Sequence, residues 1–456
     1  MQKPSLPPRT DDLYAKLLDT GPVSGDLLSR LIHEHNDPAP GGRYRHWHKL
    51  RHLRPPEGLT HEVWWLAIKL ARSTILKPWP LHGTDGTPFY FAMPDVLQEM
   101  VHRIDRRASG TIEAAGPWLA DPASKQRYLL GALKEEAIHS SQIEGAATTR
   151  RVAKRMLNEG HSPTDMSEQM VLNNYRGMTF IAEAAKEREL TADLVFELHG
   201  ILTEGTLDDP SAVGRFRRDD EQIAVINDAG EVLHDPPREA ELPGRLEAMC
   251  AFANDDGSQP FIHPVVRSVL LHFWLAHDHP FVDGNGRTAR ALFYWSMARR
   301  GYWLIEYTSL SRLLLRARGR YNRAFLYAES DDNDATYFVL HQCRTILQAI
   351  DELHEYIGRK MADTRRSRDI LIGGGATSAP LNQRQLALLR NALDHPGATY
   401  TIRIHKDYHS VSYQTARTDL LQLAEAGLLD RTKVGREFVF IAPADLDGRL
   451  GGVGGE

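Results

Sequence analysis

The sequence predicts a mainly α-helical protein. One β-hairpin lies in its central region, and a small unit of helices and a hairpin forms the C-terminal end. Three observations carry this expectation. Apolar residues recur at three- and four-residue spacing through most of residues 123–365, the period of helices with one buried face. QIAVINDAGEVLHD departs from that period and alternates apolar and polar residues around an Asp-Ala-Gly turn, as a hairpin does. ILIGGGATSAP, residues 370–380, sets three glycines and a proline before the last compact stretch, as a linker does.

Composition bounds the problem. A chain of 456 residues allows about two to four domains. Hydrophobic residues make up 42% and charged residues 25%, ordinary values for a globular chain. A formal net charge of -5 excludes polyanion binding by bulk charge, though not a local basic patch. Two cysteines, Cys250 and Cys343, supply neither a disulfide framework nor a zinc ribbon, so a reducing compartment is expected. The start MQKPSLPPRTDDLYAK has no apolar signal core, and no apolar run is long enough for a membrane span. The expected location is cytoplasmic, with no membrane partner.

Residues 1–122 read as a helical N-terminal region broken by PSLPP, RPPEG and KPWPLHGTDGTP. SKQRYLLGALKEEAIHSSQIEG then reads as an amphipathic helix, with Leu129, Leu133, Ala137 and Ile138 on one face and Gly145 as its stop. MSEQMVLNNYRGMTFIAEAAKE and TADLVFELHGILTEG follow, then the hairpin. Helices resume in ELPGRLEAMCAFAN, HPVVRSVLLHFWLAH, TARALFYWSMARRG, RARGRYNRAFLYAES and the long run to ADTRR. A core over 123–365 and a linker over 366–380 are expected. In 381–445, three helices (LNQRQLALLRNALDH, TIRIHKDYH and SYQTARTDLLQLAEAGLL) precede the hairpin DRTKVGREFVFIA. That is the order of a winged helix-turn-helix.

HPFVDGNGRTAR, residues 279–290, carries the chemistry. Pro280 disfavours the helical conformation at His279. The preceding helix is therefore expected to stop near His277 and leave His279 on an extended corner. Gly284 and Gly286 free the backbone. N–H groups at such a loop, together with the helix that follows, form an anion site. Arg287 and Arg290, three apart, share a helical face there, and two guanidiniums suit a polyphosphate. Asp283 suits Mg2+, an ion that commonly takes one or two carboxylates plus phosphate oxygens. His279 is available to take a proton from an incoming nucleophile. These parts suggest transfer from a nucleotide to a hydroxyl. A Gly-Asn-Gly loop alone is usually a turn, and a lone histidine before proline is usually structural. The combination is what points to function.

His279-Pro-Phe-x-Asp283-Gly284-Asn285-Gly286-Arg287-x-x-Arg290 resembles the Fic family motif at every fixed position. The resemblance covers roughly residues 123–365. It implies AMPylation: AMP passes from ATP to a Ser, Thr or Tyr hydroxyl of a target protein, and pyrophosphate leaves. It implies His279 as general base, Asp283 as the Mg2+ ligand, and Gly284, Asn285 and Gly286 as a cradle for the α- and β-phosphates. Arg287 would support the phosphates and Arg290 would hold the γ-phosphate. Ser140-x-x-x-Glu144-Gly145 resembles the family's inhibitory signature, in the class whose inhibitory helix precedes the catalytic motif. There the Glu pairs with the second motif arginine, a carboxylate competing with a phosphate for one guanidinium. Without that context Glu144 would be a solvated residue at a helix end.

The hairpin at Ile223, Val225 and Asn227 resembles the family flap, which pins a target segment by main-chain pairing. GRFR, residues 214–217, resembles its lead-in, at a longer spacing than the family pattern. RYNRAFLYAES resembles the helix that ends near the adenine, where this chain has Glu329 and the family often has Asn. Family members often pair, so a homodimer is implied. The C-terminal unit resembles winged-helix modules attached to Fic proteins. Tyr413, Gln414 and Arg417 would face a DNA major groove. Its eight basic against six acidic residues fall short of a committed DNA binder's charge, so a protein partner is an equal alternative.

Three rival readings remain. A metal hydrolase is suggested by His263, His272, His277 and His279. However, His272 and His277 stand about 140° apart around a helix, and no HExxH pair occurs. A DNA-binding regulator that only senses nucleotide would need no base, yet His279 is intact. Removal of AMP from a modified target would use the same site as transfer, and the sequence leaves the two open.

Overall fold

The computed structural model describes residues 2–18, 29–109, 122–221, 223–227, 229–255, 257, 261–373, 381–409, 411–434 and 437–451. They fall into two compact units, residues 1–353 and 354–456.

The first unit begins with α1 (Thr10–Leu18) and α2 (His61–Ser73), the latter capped by Thr60, whose hydroxyl accepts from the Val63 N–H. Strands β1 (Lys77–His82) and β2 (Pro88–Phe91) then pair antiparallel, followed by α3 (Asp95–Ala108). The strand pair corrects the purely helical expectation for this region. Pro78 and Pro80 hid it, because prolines demote a strand reading, yet strands at a sheet edge tolerate them. Trp79 of β1 is buried edge-on to Trp274, 5.5 Å between ring centroids. Tyr90 of β2 bonds through its main chain to Asn333 and Ala335. Lys69 and Arg72 of α2 neutralise the buried Asp331, at 2.8 and 3.6 Å. This N-terminal segment therefore braces the helices around the site.

The remaining helices of this unit are α4 (Pro122–Ile143), α5 (Arg150–Glu159), α6 (Met166–Glu187), α7 (Ala192–Thr203), α8 (Leu242–Asn254), α9 (Pro264–Asp278), α10 (Asn285–Arg299), α11 (Leu310–Arg316) and α12 (Arg318–Ser330). Helix α9 is buried nearly all round, from Val265 to Leu275, as a central core helix must be. It packs along α10, and α10 packs on α6. Gly177 lets α6 and α7 close tightly, since a Cβ there would stand 2.6 Å from Leu202 Cδ2. Between α7 and α8 the hairpin is short: β3 (Val225–Ile226) against β4 (Val232–His234).

Helix α13 (Thr336–Gly373) crosses the division between units. It runs through residues 366–373, where the sequence suggested a linker. A run such as ADTRRSRDILIG keeps good helix formers up to the first glycine. Residues 374–380 of that linker lie outside the described residues. The second unit holds α14 (Gln383–Asp394), α15 (Ile402–His409), α16 (Tyr413–Glu425) and α17 (Leu446–Gly451). Its sheet has the order β5-β7-β6, with β5 (Thr399–Thr401), β6 (Asp430–Val434) and β7 (Glu437–Ile441). Strand β5 was missed because three residues are too few to show alternation. Leu389, Ala416, Leu420, Leu423 and Phe440 form the core. Asn382 with Gln385 makes a capping box, and Ser412 caps α16. Among the described residues no helix is long and apolar enough to cross a membrane.

Candidate active site

The loop from His279 to Gly284 joins the C-terminus of α9 to the N-terminus of α10. Helix α9 runs to Asp278, one residue further than expected, and His279 caps it at φ 45°, ψ 55°. The extended corner is thus corrected to a left-handed turn. Pro280 blocks a further right-handed turn, and the left-handed cap reverses the chain instead. Such a conformation costs about 1–3 kcal/mol at a non-glycine residue and persists where surroundings impose it. Arg217 imposes it here. Its Nε donates to the His279 carbonyl at 2.9 Å, and its backbone N–H donates to the Pro280 carbonyl at 2.9 Å. Its guanidinium also donates to the Pro237 carbonyl. Beyond the lead-in that GRFR suggests, Arg217 clamps the turn at His279.

His279 is half-buried. Its Nδ1 lies 3.3 Å from the Ala276 carbonyl, which places the proton on Nδ1 and leaves Nε2 as a lone pair. Desolvation takes its pKa down to about 4 against the weaker pull of that hydrogen bond, so the ring is neutral near pH 7. The geometry suits a general base.

His199 of α7 holds the other end of the loop, a residue that the sequence gave no reason to single out. Gly214 N–H donates to its Nδ1 at 3.0 Å, and its Nε2–H donates to the Asp283 carbonyl at 2.9 Å. The ring stacks on Phe281, 3.8 Å between centroids, and burial takes its pKa to about 4. Gly284 is required twice over. It sits at φ 83°, and a Cβ would stand 2.7 Å from Thr203 Cγ2. It also starts α10 without a side-chain cap, which leaves the helix end open to an anion.

Asn285 departs from its expected place in the cradle. Its side-chain oxygen accepts from Phe281 N–H at 2.9 Å and its amide donates to the Phe281 carbonyl at 2.8 Å. The side chain locks the loop. Arg287 departs too. It is fully buried, donating to the Leu202 carbonyl at 2.8 Å and to Asp283 Oδ2 at 3.0 Å. Like Arg290 it acts by charge on the Glu144 carboxylate, but the close approach of α6 and α7 brings the Leu202 carbonyl to one of its nitrogens. Asp283 stays exposed with one oxygen steadied by Arg287. An exposed carboxylate with an oxygen to spare fits Mg2+.

Ser140 and Glu144 reach this loop from α4. Arg290 donates from Nε to Ser140 Oγ at 2.9 Å, and from one terminal nitrogen to Ser140 O at 3.0 Å and Glu144 Oε1 at 2.8 Å. Burial opposes the charge on both partners, but each outweighs it for the other: Glu144 stays below its usual range and Arg290 above. A Cβ built on Gly286 would collide with the Glu144 carboxylate, so that carboxylate lies on the open N-terminus of α10. Gly145 turns the chain away at φ 99°. Helix α4 is pinned by Glu136, which accepts from Ser309 Oγ and Ser311 N–H at 3.0 Å and from the Ser311 hydroxyl. Asn174 of α6 donates to Ser141 Oγ at 3.3 Å. No local pattern announces these anchors.

The hairpin is only partly as expected. Val225 lies in β3, but Ile223 precedes it. Asn227 builds the turn, its side-chain oxygen accepting from Ala229 and Glu231 N–H at 2.9 Å. Ile226 and Val232 are exposed. His234 of β4 pairs with Glu329 at 3.0 Å, so Glu329 anchors the hairpin. In the second unit Tyr413, Gln414 and Arg417 are all exposed on α16.

Comparison with known proteins finds matches over the same region. Residues 189–297, from the end of α6 into α10, match the model of the Fic/DOC family. A relative from Drosophila willistoni named protein adenylyltransferase Fic is 31% identical over 214 residues, 45% of this chain and 40% of its own length. Its namesake from Drosophila virilis is 33% identical over 186 residues, 40% of this chain and 35% of its own. The matches thus span about two fifths of the curated relatives' length. A solved Fic family protein from Desulfovibrio desulfuricans G20 has a TM-score of 0.48 and 18% identity, covering 80% of this chain and 97% of that one, too loose a likeness to bear on function. The loop from His279 to Arg290 lies within the span that matches the Fic/DOC family model.

Proposed function

We propose that this protein is an adenylyltransferase that moves AMP from ATP to a Ser, Thr or Tyr hydroxyl of a protein target and is held inactive by Glu144. One observation carries the reading. Arg290, the guanidinium suited to a terminal phosphate, is occupied by Ser140 and Glu144, while a neutral His279 keeps Nε2 free a short loop away. The relatives named protein adenylyltransferase support the reaction class.

In this reading His279 Nε2 accepts the proton of the target hydroxyl. That oxygen bonds to the α-phosphorus as the bond to the bridging oxygen of the β-phosphate breaks, and pyrophosphate leaves. The backbone of Gly284–Gly286 at the start of α10 steadies phosphate charge. Arg287 keeps Asp283 in place. Asp283 would hold Mg2+, which supplies charge neutralisation on the phosphates when bound. Arg290, once freed from Glu144, orients the γ-phosphate. Main-chain groups of β3 and β4 would receive the target segment, their exposed Ile226 and Val232 lying alongside.

The element order of the second unit supports a winged helix, and the exposure of Tyr413, Gln414 and Arg417 leaves α16 open to DNA or a partner protein. A homodimer belongs to the same reading. The test is labelling by α-labelled ATP with wild type, Glu144→Gly, and Glu144→Gly with His279→Ala, alone and in a lysate. Label from the second protein alone is expected. No label from any of them removes the proposed activity, and loss of label from a previously AMPylated target would establish removal instead.

A further inference from the structure

Two imidazoles and a carboxylate converge beside the loop, in a cluster that the reaction above does not use. His234 ends β4, His277 lies in the last turn of α9, and Glu329 in the last turn of α12. One ligating atom from each lies within 4.8 Å of the others. The rings of His234 and His277 are 4.7 Å apart between centroids, tilted by 56°. The side chains are enclosed: His277 is 4% exposed, His234 10% and Glu329 22%.

Hydrogen bonds to a carbonyl and a carboxylate set the proton on each ring. The main-chain carbonyl of His277 accepts from His234 Nε2–H at 2.6 Å, which turns His234 Nδ1 to Glu329 Oε2 at 3.0 Å. His277 Nδ1 lies 3.3 Å from Asp278 Oδ1, which holds the proton there. Its Nε2 then carries the lone pair. Asp278 is itself fixed by Arg245 at 2.7 Å and by Trp274 Nε1–H at 2.9 Å. Metal-bound histidines nearly always donate the other ring N–H to a carbonyl or a carboxylate, and here one ring does each.

We propose that His234, His277 and Glu329 form a site for a divalent transition metal, Zn2+ by donor chemistry, that ties the hairpin to α9 and α12. Two imidazole nitrogens and one carboxylate are a known three-ligand zinc set, with room for a water. Mg2+ and Ca2+ prefer all-oxygen sites, so this site is distinct from Asp283. Zinc ligands sit at about 2.0–2.2 Å from the ion, so the side chains must draw in by about 1 Å. The hairpin has only two short strands to hold it, and the metal would fix its base two residues from His279. The site ties structure together; it does not revive a hydrolase.

The test uses the full chain stripped with EDTA and titrated near pH 7.5 with Co2+ as a visible probe, then with Zn2+. The expected result is one equivalent of Co2+ with the intense d–d bands of four-coordination, displaced by Zn2+ and not by excess Mg2+. His234→Asn and Glu329→Gln should each weaken uptake by more than roughly 100-fold, while Asp283→Ala leaves it unchanged. Zn2+ should raise the melting temperature of wild type and of neither hairpin variant, and circular dichroism of the stripped variants reports whether they are folded. No stoichiometric uptake by wild type, or uptake that survives in the folded His234 and Glu329 variants, overturns the site.

Discussion

On the proposed function, replacing Glu144 by Gly should raise the labelling rate, and the size of the gain follows from the Arg290 contact. The bond is 2.8 Å long, joins opposite charges, and has its guanidinium 4% and its carboxylate 26% exposed. Hydrogen bonds to charged groups contribute about 1.5–3 kcal/mol. If ATP must displace this bond before its γ-phosphate meets Arg290, productive placement is penalised by that amount. At about 1.4 kcal/mol per factor of ten, the labelling rate should rise roughly 10- to 150-fold. Arg290 keeps both Ser140 contacts in the variant, so the guanidinium stays in place. Glu144→Gln, which keeps an acceptor without its charge, should fall between. The assay is the initial rate of incorporation from α-labelled ATP into a fixed protein acceptor. Equal rates for wild type and Glu144→Gly, with ATP binding intact and labelling measurable in both, would refute the competition argument.

Further outcomes follow from neighbouring residues. In the Glu144→Gly background, Arg217→Ala should lower kcat by roughly 10- to 100-fold with little change in KM for ATP, because misplacing the base slows chemistry and leaves nucleotide contacts intact; a shift in KM alone would count against it. Because His279 titrates near about 4, labelling should stay flat from pH 8 to about 5 and fall only below that, whereas half-loss near 6.5 would mean an ordinary, exposed imidazole. Stability should follow the same sign. His46, His199 and His279 fall to about 4 when folded against about 6.5 unfolded, so the unfolded chain binds more protons as pH drops through that window; the melting temperature should fall between pH 6.5 and 4, and no change would contradict their burial. Gly284→Ala should destabilise the chain by about 1–3 kcal/mol, read as a lower urea midpoint, because it needs φ 83° and meets Thr203; an unchanged midpoint would show that the loop relaxes freely.

Local chemistry was readable wherever chain neighbours supply it. Pro280, Gly284 and the start of α10 lie within a few residues of one another, so the sequence announced the turn and the open helix end. What the sequence misjudged were competitions. His279 chose a left-handed cap over an extended corner because Arg217, 62 positions away, takes its carbonyl. Arg287 turned inward because Leu202, 85 positions away, offers a buried carbonyl. His199 and Glu136 carried no motif, and Arg217 only that of the hairpin's lead-in, because each acts on main-chain or hydroxyl groups that any residue could present.

By itself the sequence determined that a histidine, an aspartate and a glycine-opened helix start stand together, since dihedral limits and short-range spacing impose it. It also placed Ser140 and Glu144 one helical turn apart. Only the tertiary structure decided that this turn meets Arg290, 146 positions on from Glu144, and that the two charges are enclosed together. Contacts across such separations depend on how α4, α6 and α10 pack, and that packing rests on volumes summed over the whole core.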